Sequence, residues 1–312
     1  MENYGRVVLL MGGVSSEREV SLMSGEGVYE ALLSKGVDVV KFDPKTDGLE
    51  KLEKGDIVFI KDGDSLHGRL GEDGTIQGVL NYLGIPYTGP GVTASAMAID
   101  KDLTKRVWKS AGIPVPEGVM IDPKADDAVL ESAIERLGAT GLVVKPAHDG
   151  SSIGVTKLAR PSIEALRKAL EDAAGARGDE VLVEEYIHGR EFTIAVLDGR
   201  ALPVIEIRAP EGDYDFNNKY YTDTVQYDCP ASLAEEEAGM LGELCERAFA
   251  VVGARGWSRI DALQRADGSF ALLEINTSPG MTPHSLVPMA ARAVGMDYAD
   301  LCLKVLSLAR CD

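Results

Sequence analysis

The stretch that most restricts how this chain can fold runs from Arg259 to Leu286 and reads RIDALQRADGSFALLEINTSPGMTPHSL. Its first half alternates between polar and apolar residues on either side of Asp267-Gly268, a dipeptide typical of a two-residue turn between antiparallel strands. The pattern predicts a β-hairpin. Placing the turn at these two residues fixes which residues of the two strands face each other.

The predicted register brings two carboxylates together. Asp261 lies opposite Glu274 and Arg259 opposite Asn276, and all four share one face because side chains alternate along a strand. Opposed Cβ atoms are roughly 4.5–5.5 Å apart, where like charges repel unless a cation bridges them. Two carboxylates and an amide oxygen are hard donors that suit Mg²⁺ bound together with phosphate. The other face is apolar and predicts core packing of Ile260, Ala262, Leu273 and Ile275. A surface hairpin with a solvated polar face is the alternative, and the rest of the chain has to decide.

Composition excludes several classes of protein. The 312 residues, enough for two to three domains, carry 50 acidic and 32 basic side chains, a net charge of −18. This balance argues against nucleic-acid binding, and an anionic substrate would need local cations against it. We expect no membrane association, because no apolar run approaches ~20 residues and no signal peptide is recognisable at Met1 to Tyr4. Four scattered cysteines indicate reduced thiols and hence a cytoplasmic protein.

The N-terminal region reads as an open α/β unit. An apolar strand at Val7–Met11 is followed by glycines and a helix from Glu17 to Leu33, so the helix N-terminus can face a ligand. No G-x-G-x-x-G is present, which leaves a dinucleotide site unsupported. Glu17 lies in the first helical turn, where capping of the helix dipole is the simpler explanation. His67, in a glycine-rich loop between strands, is a candidate ligand.

Further elements follow in order along the chain. Strands are predicted at Val37–Phe42, Asp56–Ile60, Ile85–Thr88, Leu142–Lys145, Val155–Leu158, Val181–Ile187, Phe192–Leu197 and Arg200–Ile207. Helices are predicted from about 92 to Ile99, from Asp100 to about Gly112, at Ser162–Ala174, Leu233–Val252 and Ser285–Gly295, and from Tyr298 onward. The Gly- and Ser-rich tip at 146–154 can fold over phosphates, although it is not a Walker loop. The long connection from Pro210 to Pro230 predicts a lid or binding loop.

Together these stretches resemble D-alanine–D-alanine ligases of the ATP-grasp superfamily. The resemblance covers nearly the whole chain and keeps the order of the motifs, several of which are long. The motifs are GGVSSEREVS, LHGRLGEDGTIQG, IPYTGPG, DK, VVKPAHDGSSIGV, GREFT, NKYYTDTVQY, GWSRID and LEINTSPGMTPHSLVP.

The resemblance implies an α/β fold with an N-terminal open parallel-sheet domain followed by a two-subdomain ATP-grasp fold. The implied domains are 1–98 for substrate binding, 99–182 with the phosphate loop, and 183–312 with the Mg²⁺ site and lid. In the implied reaction, ATP phosphorylates the carboxylate of one D-alanine, and the amine of a second D-alanine displaces the phosphate. The product, D-alanyl-D-alanine, is a precursor of peptidoglycan.

The resemblance also implies a set of ligands for metal and nucleotide. Two Mg²⁺ ions, for which Mn²⁺ can substitute, would be held by Asp261, Glu274 and Asn276. ATP would contact Lys101, Lys145, Gly150, Ser151, Ser152, Glu184, Glu185, Ile187, Glu191 and Lys219. Adenine would lie largely on backbone groups of 184–187, and Glu191 would meet the ribose. Relatives often carry lysine where Glu185 stands, which puts a side-chain contact with adenine there in question.

The implied catalytic residues are Glu17, Ser151, Tyr220, Arg259 and Gly280. Arg259 and the Gly280 amide would stabilise the oxyanion of the tetrahedral intermediate. The first D-alanine would meet Glu17, with His67 nearby. The carboxylate of the second would meet Ser285 and the Leu286 amide. Glu17, Ser151 and Tyr220 would also connect the three domains.

Other acceptors and other roles remain as alternatives. The same chemistry with D-lactate or D-serine as acceptor is the nearest alternative. The resemblance implies that the pair Lys219-Tyr220 favours an amine acceptor over D-lactate. A non-catalytic nucleotide-binding regulator would be expected to lose one or more of the residues of the implied site, and all of them are present: Asp261, Glu274, Asn276, Arg259 and Ser151. The family resemblance also leads us to expect a homodimer.

Overall fold

The computed structural model describes residues 4–13, 18–61, 71–148, 154–175, 178–209 and 224–312. The first of its three sheets is parallel, with the order β2-β1-β3. Its strands are β1 (Arg6–Leu10), β2 (Asp38–Phe42) and β3 (Ile57–Ile60), and helix α1 (Arg18–Ser34) connects the first two. Strands β1 and β3 are apolar and largely buried, as expected in a parallel sheet, whereas β2 at the edge has Asp38, Val40 and Lys41 exposed. The predicted N-terminal α/β unit is confirmed.

The predicted strand at Ile85–Thr88 is reduced to a single bridging residue. Tyr87 pairs with Val58 on one side and with Arg310 on the other. The Val58 N–H donates to the carbonyl of Pro86, but Pro86 itself has no N–H to continue a ladder. Before this segment lies α2 (Thr75–Leu83), which the sequence pattern did not identify, and after it come α3 (Val92–Ile99) and α4 (Lys101–Ser110).

The second sheet is antiparallel, with the order β4-β7-β5-β6. Its strands are β4 (Gly118–Ile121), β5 (Leu142–Pro146), β6 (Thr156–Leu158) and β7 (Val181–Glu185). Helices α5 (Asp127–Leu137) and α6 (Ile163–Ala174) cover it through an apolar core that includes Leu130, Leu166 and Leu170. Neither β4 nor α5 was predicted. Strand β7 runs across the predicted boundary at 182/183 and pairs along its whole length within this sheet.

The third sheet has six strands, with the main order β11-β10-β8-β12-β13 and β9 paired to β8. The strands are β8 (Glu191–Leu197), β9 (Arg200–Ala201), β10 (Ile205–Arg208), β11 (Gln226–Asp228), β12 (Trp257–Gln264) and β13 (Phe270–Asn276). The predicted strand Arg200–Ile207 is interrupted because Pro203 cannot donate a ladder hydrogen bond. Helix α7 (Glu235–Val251) packs on this sheet.

The last two helices follow the third sheet, and the final one packs against helix α1 near the N-terminus. Helices α8 (Leu286–Ala293) and α9 (Tyr298–Ser307) follow β13. Leu301 and Val305 of α9 share one apolar core with Val28 and Leu32 of α1. Residues distant in sequence therefore form a common core beneath the first sheet. None of the helices within the described ranges is long and apolar enough to cross a membrane.

The β12–β13 hairpin has the predicted register at one end and a different register at the other. Arg259 faces Asn276 and Asp261 faces Glu274, as predicted, but Ala262 faces Leu272. The turn holds three residues, 266–268, because the Arg265 N–H donates to the Ser269 carbonyl and Gly268 adopts φ +86°. A bulge at Leu273 compensates for the extra turn residue. The core position predicted for Leu273 therefore belongs to Leu272, which is fully buried.

Candidate functional site

The polar face of the hairpin is built around Asp261. Arg259 donates from Nε to Asp261 Oδ1 at 2.9 Å and from Nη2 to Oδ2 at 2.8 Å. Thr193 lies opposite Asp261 on β8, and its hydroxyl donates to Oδ1 at 2.6 Å. Asn276 donates from Nδ2 to Oδ2 at 3.3 Å. The carboxylate is thus fixed from three strands, and Asn276 is oriented through its nitrogen rather than its oxygen. Sequence reasoning missed Thr193, whose role depends on the pairing of β8 with β12.

Glu274 is joined to the start of helix α4. The ammonium of Lys101 lies 3.5 Å from Glu274 Oε2. Asp100 caps the helix, accepting from the Leu103 N–H, and the Lys101 N–H donates to the Ala147 carbonyl at 3.0 Å. These contacts bring the beginning of α4, the segment after β5 and the end of β13 to one place. Lys101 and Glu274, which the resemblance assigns to phosphate and to Mg²⁺, therefore lie next to each other, while those roles stay predictions.

The donor set suits a hard cation. No group of three or more His, Cys, Asp or Glu side chains that could hold a metal occurs among the described residues. Asp261 and Glu274 are two carboxylates, and Asn276 adds a carbonyl oxygen next to them, the kind of donors that Mg²⁺ prefers. Both oxygens of Asp261 accept hydrogen bonds from Arg259, so a cation would share this carboxylate with the guanidinium. In donor chemistry the residues fit Mg²⁺.

A second charged cluster lies between α4 and the second sheet. Glu184 is ion-paired with Lys105 through Oε1 and with Lys145 through Oε2, the latter at 2.6 Å. Although desolvation favours its neutral form, the two lysines together lower the pKa of Glu184. Desolvation, opposed by the attraction of Glu184, lowers the pKa of Lys105 to about 7. The pKa of Lys145 is raised because Glu184 outweighs the effect of burial.

This cluster shows what the side chain of Glu184 contacts. The side chain is 2% exposed and binds two lysines, so a contact with adenine at this position would use the backbone, as predicted for 184–187. Lys145, predicted to contact phosphate, is held by this carboxylate in the structure. Lys105 was missed, although its place one helical turn after Lys101 predicts that both lie on one face of α4.

Glu185 is paired with Arg265 from the hairpin turn. Arg265 Nη1 and Nη2 donate to the Glu185 carboxylate at 3.0 and 2.6 Å, and the Glu117 N–H donates to it at 2.9 Å. The hydrogen bond from Arg265 is the main reason that the pKa of Glu185 is lowered. The backbone N–H groups of Glu185 and Tyr186 donate to carbonyls of neighbouring segments. Adenine bound along 184–187 would therefore have to use backbone groups other than these two N–H groups. Of the other residues predicted to contact the nucleotide, Ile187 is buried and Glu191 lies half-buried at the start of β8.

The loop after β13 carries the remaining predicted residues. Ser285 is the N-cap of α8, and its hydroxyl accepts from the Thr282 N–H at 3.0 Å. A Cβ on Gly280 would lie 3.0 Å from Ser285 Oγ, so the loop packs closely against the cap. Leu286 is the first residue of α8, which places its amide at the helix N-terminus, where anions are favoured.

The same loop is also attached to the first sheet. Lys61, which follows β3, donates to the Ser278 carbonyl at 3.2 Å, a contact that was not predicted.

Seven predicted site residues lie outside the described residues, and their placement stays a prediction. They are Glu17, His67, Gly150, Ser151, Ser152, Lys219 and Tyr220. The segments that contain them border described residues of the site, because 149–153 follows His148 and 210–223 connects β10 to β11.

Comparison with known proteins identifies the family. The profile of the D-ala D-ala ligase C-terminus matches residues 107–307. D-alanine–D-alanine ligase from Bordetella avium is 50% identical over 317 residues, covering 99% of this chain and 96% of the relative. D-alanine–D-alanine ligase B from Chromobacterium violaceum is 52% identical over 309 residues, covering 98% of both.

Solved structures of ligases have the same fold over nearly the whole chain. The crystal structure of D-alanine–D-alanine ligase from Bacillus anthracis complexed with ATP has a TM-score of 0.81 at 30% identity and covers 97% of this chain and 96% of its own. The VanG D-Ala:D-Ser ligase from Enterococcus faecalis has a TM-score of 0.82 at 29% identity and covers 97% and 99%. The predicted α/β fold class is confirmed, and the chain belongs to the D-alanine–D-alanine ligase family.

Proposed function

We propose that this protein joins two molecules of D-alanine to D-alanyl-D-alanine and converts one ATP to ADP and phosphate in the process. The observation that carries the proposal is the convergence of Lys101, Glu274, Asp261, Asn276 and Arg259 at one end of the hairpin. Full-length similarity to D-alanine–D-alanine ligases supports it. The same reaction would supply a precursor for peptidoglycan.

The chemistry requires activation of a carboxylate. A carboxylate oxygen of the first D-alanine attacks the γ-phosphorus of ATP, and ADP leaves, which gives D-alanyl phosphate. The amine of the second D-alanine then attacks the carbonyl carbon. The tetrahedral intermediate loses phosphate and a proton from nitrogen to form the peptide bond. Such steps depend mainly on positioning and on stabilisation of negative charge.

We assign cation binding, phosphate binding and oxyanion stabilisation to different residues of this chain. Asp261, Glu274 and Asn276 would hold two Mg²⁺ ions, or Mn²⁺ in their place, which when bound neutralise charge on the phosphates. Lys101 and Lys145 would contact the phosphates as cations that offset the net charge of −18. Two of the five N–H donors of Arg259 hold Asp261, and we assign the guanidinium to the oxyanion as well. Gly280, Ser285 and Leu286 would bind the oxyanion and the second carboxylate.

The predicted roles of the residues outside the described ranges remain proposals of the same kind. Glu17 and His67 would bind the first D-alanine. The loop with Gly150, Ser151 and Ser152 would close over the γ-phosphate. Lys219 would approach the transferred phosphoryl group, and Tyr220 would favour an amine acceptor.

The organisation of the protein is also proposed. The separate sheets support three units, and the second boundary is better placed after Glu185 than at 182/183 because β7 belongs to the second sheet. A homodimer and a cytoplasmic location follow from the family and from the composition.

A product assay tests the proposed activity. Purified protein is incubated with ATP, Mg²⁺ and D-alanine, with D-lactate or D-serine as alternative second substrates. We expect one ADP for each D-alanyl-D-alanine, and little ester product at neutral pH. Release of ADP at the same rate without D-alanine would contradict the proposal. Preferential formation of an ester or of D-alanyl-D-serine would instead change the acceptor.

A further inference from the structure

Lys105 is a buried lysine for which neither the predicted chemistry nor the family resemblance supplies a role. We propose that Lys105 is a positioning residue for ATP: it remains bound to Glu184 so that Lys145 is able to leave that carboxylate and bind a phosphate. This inference rests on the proposed function and adds one residue to its nucleotide site.

The geometry places one carboxylate between two ammonium groups. Val143 on β5 faces Glu184 on β7, so Lys145, two residues further along β5, is the diagonal neighbour of Glu184 on the same face. Lys105 reaches the other carboxylate oxygen from helix α4. Each lysine uses its own oxygen of Glu184, and one can depart without displacing the other.

Burial makes the second lysine necessary. Glu184 is 2% exposed and Lys105 5%, so water has little access to replace a lost partner. If Lys145 turned to a phosphate and no other cation held Glu184, the carboxylate would be buried without a counter-charge, a strongly disfavoured state. Lys105 prevents that state, and the movement of Lys145 becomes an exchange of one anionic partner for another.

The pocket around Glu184 is shaped to hold it. Gly118 on β4 lies directly opposite Glu184, and a Cβ at this position would approach Glu184 Cγ to 2.9 Å. Glycine therefore leaves the space that the glutamate stem occupies. Glu184 is fixed by the sheet, while Lys145 leads into the segment predicted to cover the phosphates.

The exchange also moves a proton. The charged groups that act on Lys105 are Glu184 on β7 and Lys145 on β5; Glu274 on β13 acts on Lys145 and is ion-paired with Lys101 of α4. Burial, opposed by Glu184 and assisted by Lys145, holds the pKa of Lys105 at about 7. When Lys145 turns to phosphate, its repulsion weakens and Lys105 becomes the sole cation on Glu184. Nucleotide binding above pH 7 is then accompanied by proton uptake.

Calorimetric titration with AMP-PNP and Mg²⁺ at pH 8, in two buffers of different ionisation enthalpy, tests the inference. We expect proton uptake on binding to the wild-type protein. Lys105→Met should bind at least about tenfold more weakly, as for one lost charge-assisted hydrogen bond, and without uptake. Lys105→Arg should retain more affinity than Lys105→Met, yet without proton uptake, because a guanidinium stays charged.

Two further variants make the result decisive. Lys109→Met removes an exposed lysine of the same helix, paired with Glu117 at 2.5 Å, and should bind like the wild type. Lys105→Met combined with Glu184→Gln leaves no carboxylate that needs a second cation, so affinity should recover relative to Lys105→Met alone. Wild-type affinity in Lys105→Met, proton uptake that persists there, or no recovery in the double variant would overturn the inference. Failure of the wild type itself to bind AMP-PNP would instead contradict the proposed function.

Discussion

The two charged clusters of this protein place carboxylates beside cations in different surroundings. At the hairpin, Glu274 keeps a quarter of its side chain exposed, and Asp261 is held by an arginine, a threonine and an asparagine. In the other cluster, Glu184 is enclosed with Lys105 and Lys145, and all three side chains are almost fully buried. The first arrangement leaves Glu274 open to a ligand from solvent, although Asp261 beside it is buried. The second can accept one only by exchanging a partner, so its charges bear more directly on folding.

The largest loss of stability is expected for Glu184→Gln. The substitution removes the counter-charge shared by two buried lysines, and breaking a buried ion pair in this way costs about 3–5 kcal/mol. Urea unfolding of the variant and the wild type at pH 7 would measure this difference in the free energy of unfolding. A loss below about 1 kcal/mol would show that Glu184 does not carry the buried charge balance, and the contrast between the clusters would disappear.

A smaller difference separates the two neighbouring leucines of β13. Leu272 is fully buried opposite Ala262, and Leu272→Ala should cost about 2–5 kcal/mol. Leu273 lies at the bulge and is partly exposed, so Leu273→Ala should cost about 1 kcal/mol. Unfolding of the two variants under identical conditions compares them. A larger loss for Leu273→Ala than for Leu272→Ala would contradict the bulge at Leu273. The pairing of Asp261 with Glu274 would then need a two-residue turn instead of a bulge.

The pH dependence of stability gives the finest test of the buried cluster. The folded pKa of Lys105 is about 7 and its ordinary value is 10.5, so between these values the unfolded chain binds more protons and stability rises with pH. The slope from one such group is at most about 1.4 kcal/mol per pH unit. The raised pKa of Lys145 has the opposite effect only above its ordinary value, outside this window.

The free energy of unfolding would be measured from pH 7 to pH 10. Lys105→Met should lose part of the upward slope that the wild type shows, whereas Lys109→Met should keep it. Equal slopes in all three proteins would place the folded pKa of Lys105 near its ordinary value.

Much of the site was accessible from the sequence because local signals specify it. The turn at Asp267-Gly268 and the alternating pattern predicted that Asp261 faces Glu274, and the register at that point is confirmed. The prediction succeeded although the turn has three residues, since the bulge at Leu273 offsets the additional one. Leu272 and Leu273 are both apolar, and the sequence pattern alone cannot show which of them points into the core.

The partners of the charged residues could not be predicted in the same way. Glu184, Lys105 and Lys145 come from β7, α4 and β5, and their contact depends on how helix and sheet pack. The same applies to Glu185 and Arg265, which are 80 residues apart. Propensity and periodicity describe one segment at a time, so they identify lysines that can bind phosphate without showing which carboxylates hold them.

The measurement that tests the central claim most directly is the D-alanine-dependent release of ADP by Asp261→Asn. Asp267→Asn, in the exposed turn at the opposite end of the same hairpin, is the matched control. We expect a fall of at least about 100-fold for Asp261→Asn, because its carboxylate would hold the cation on the phosphates, and wild-type rates for the control. Wild-type ADP release by Asp261→Asn would contradict the assignment of the hairpin as the metal and phosphate site.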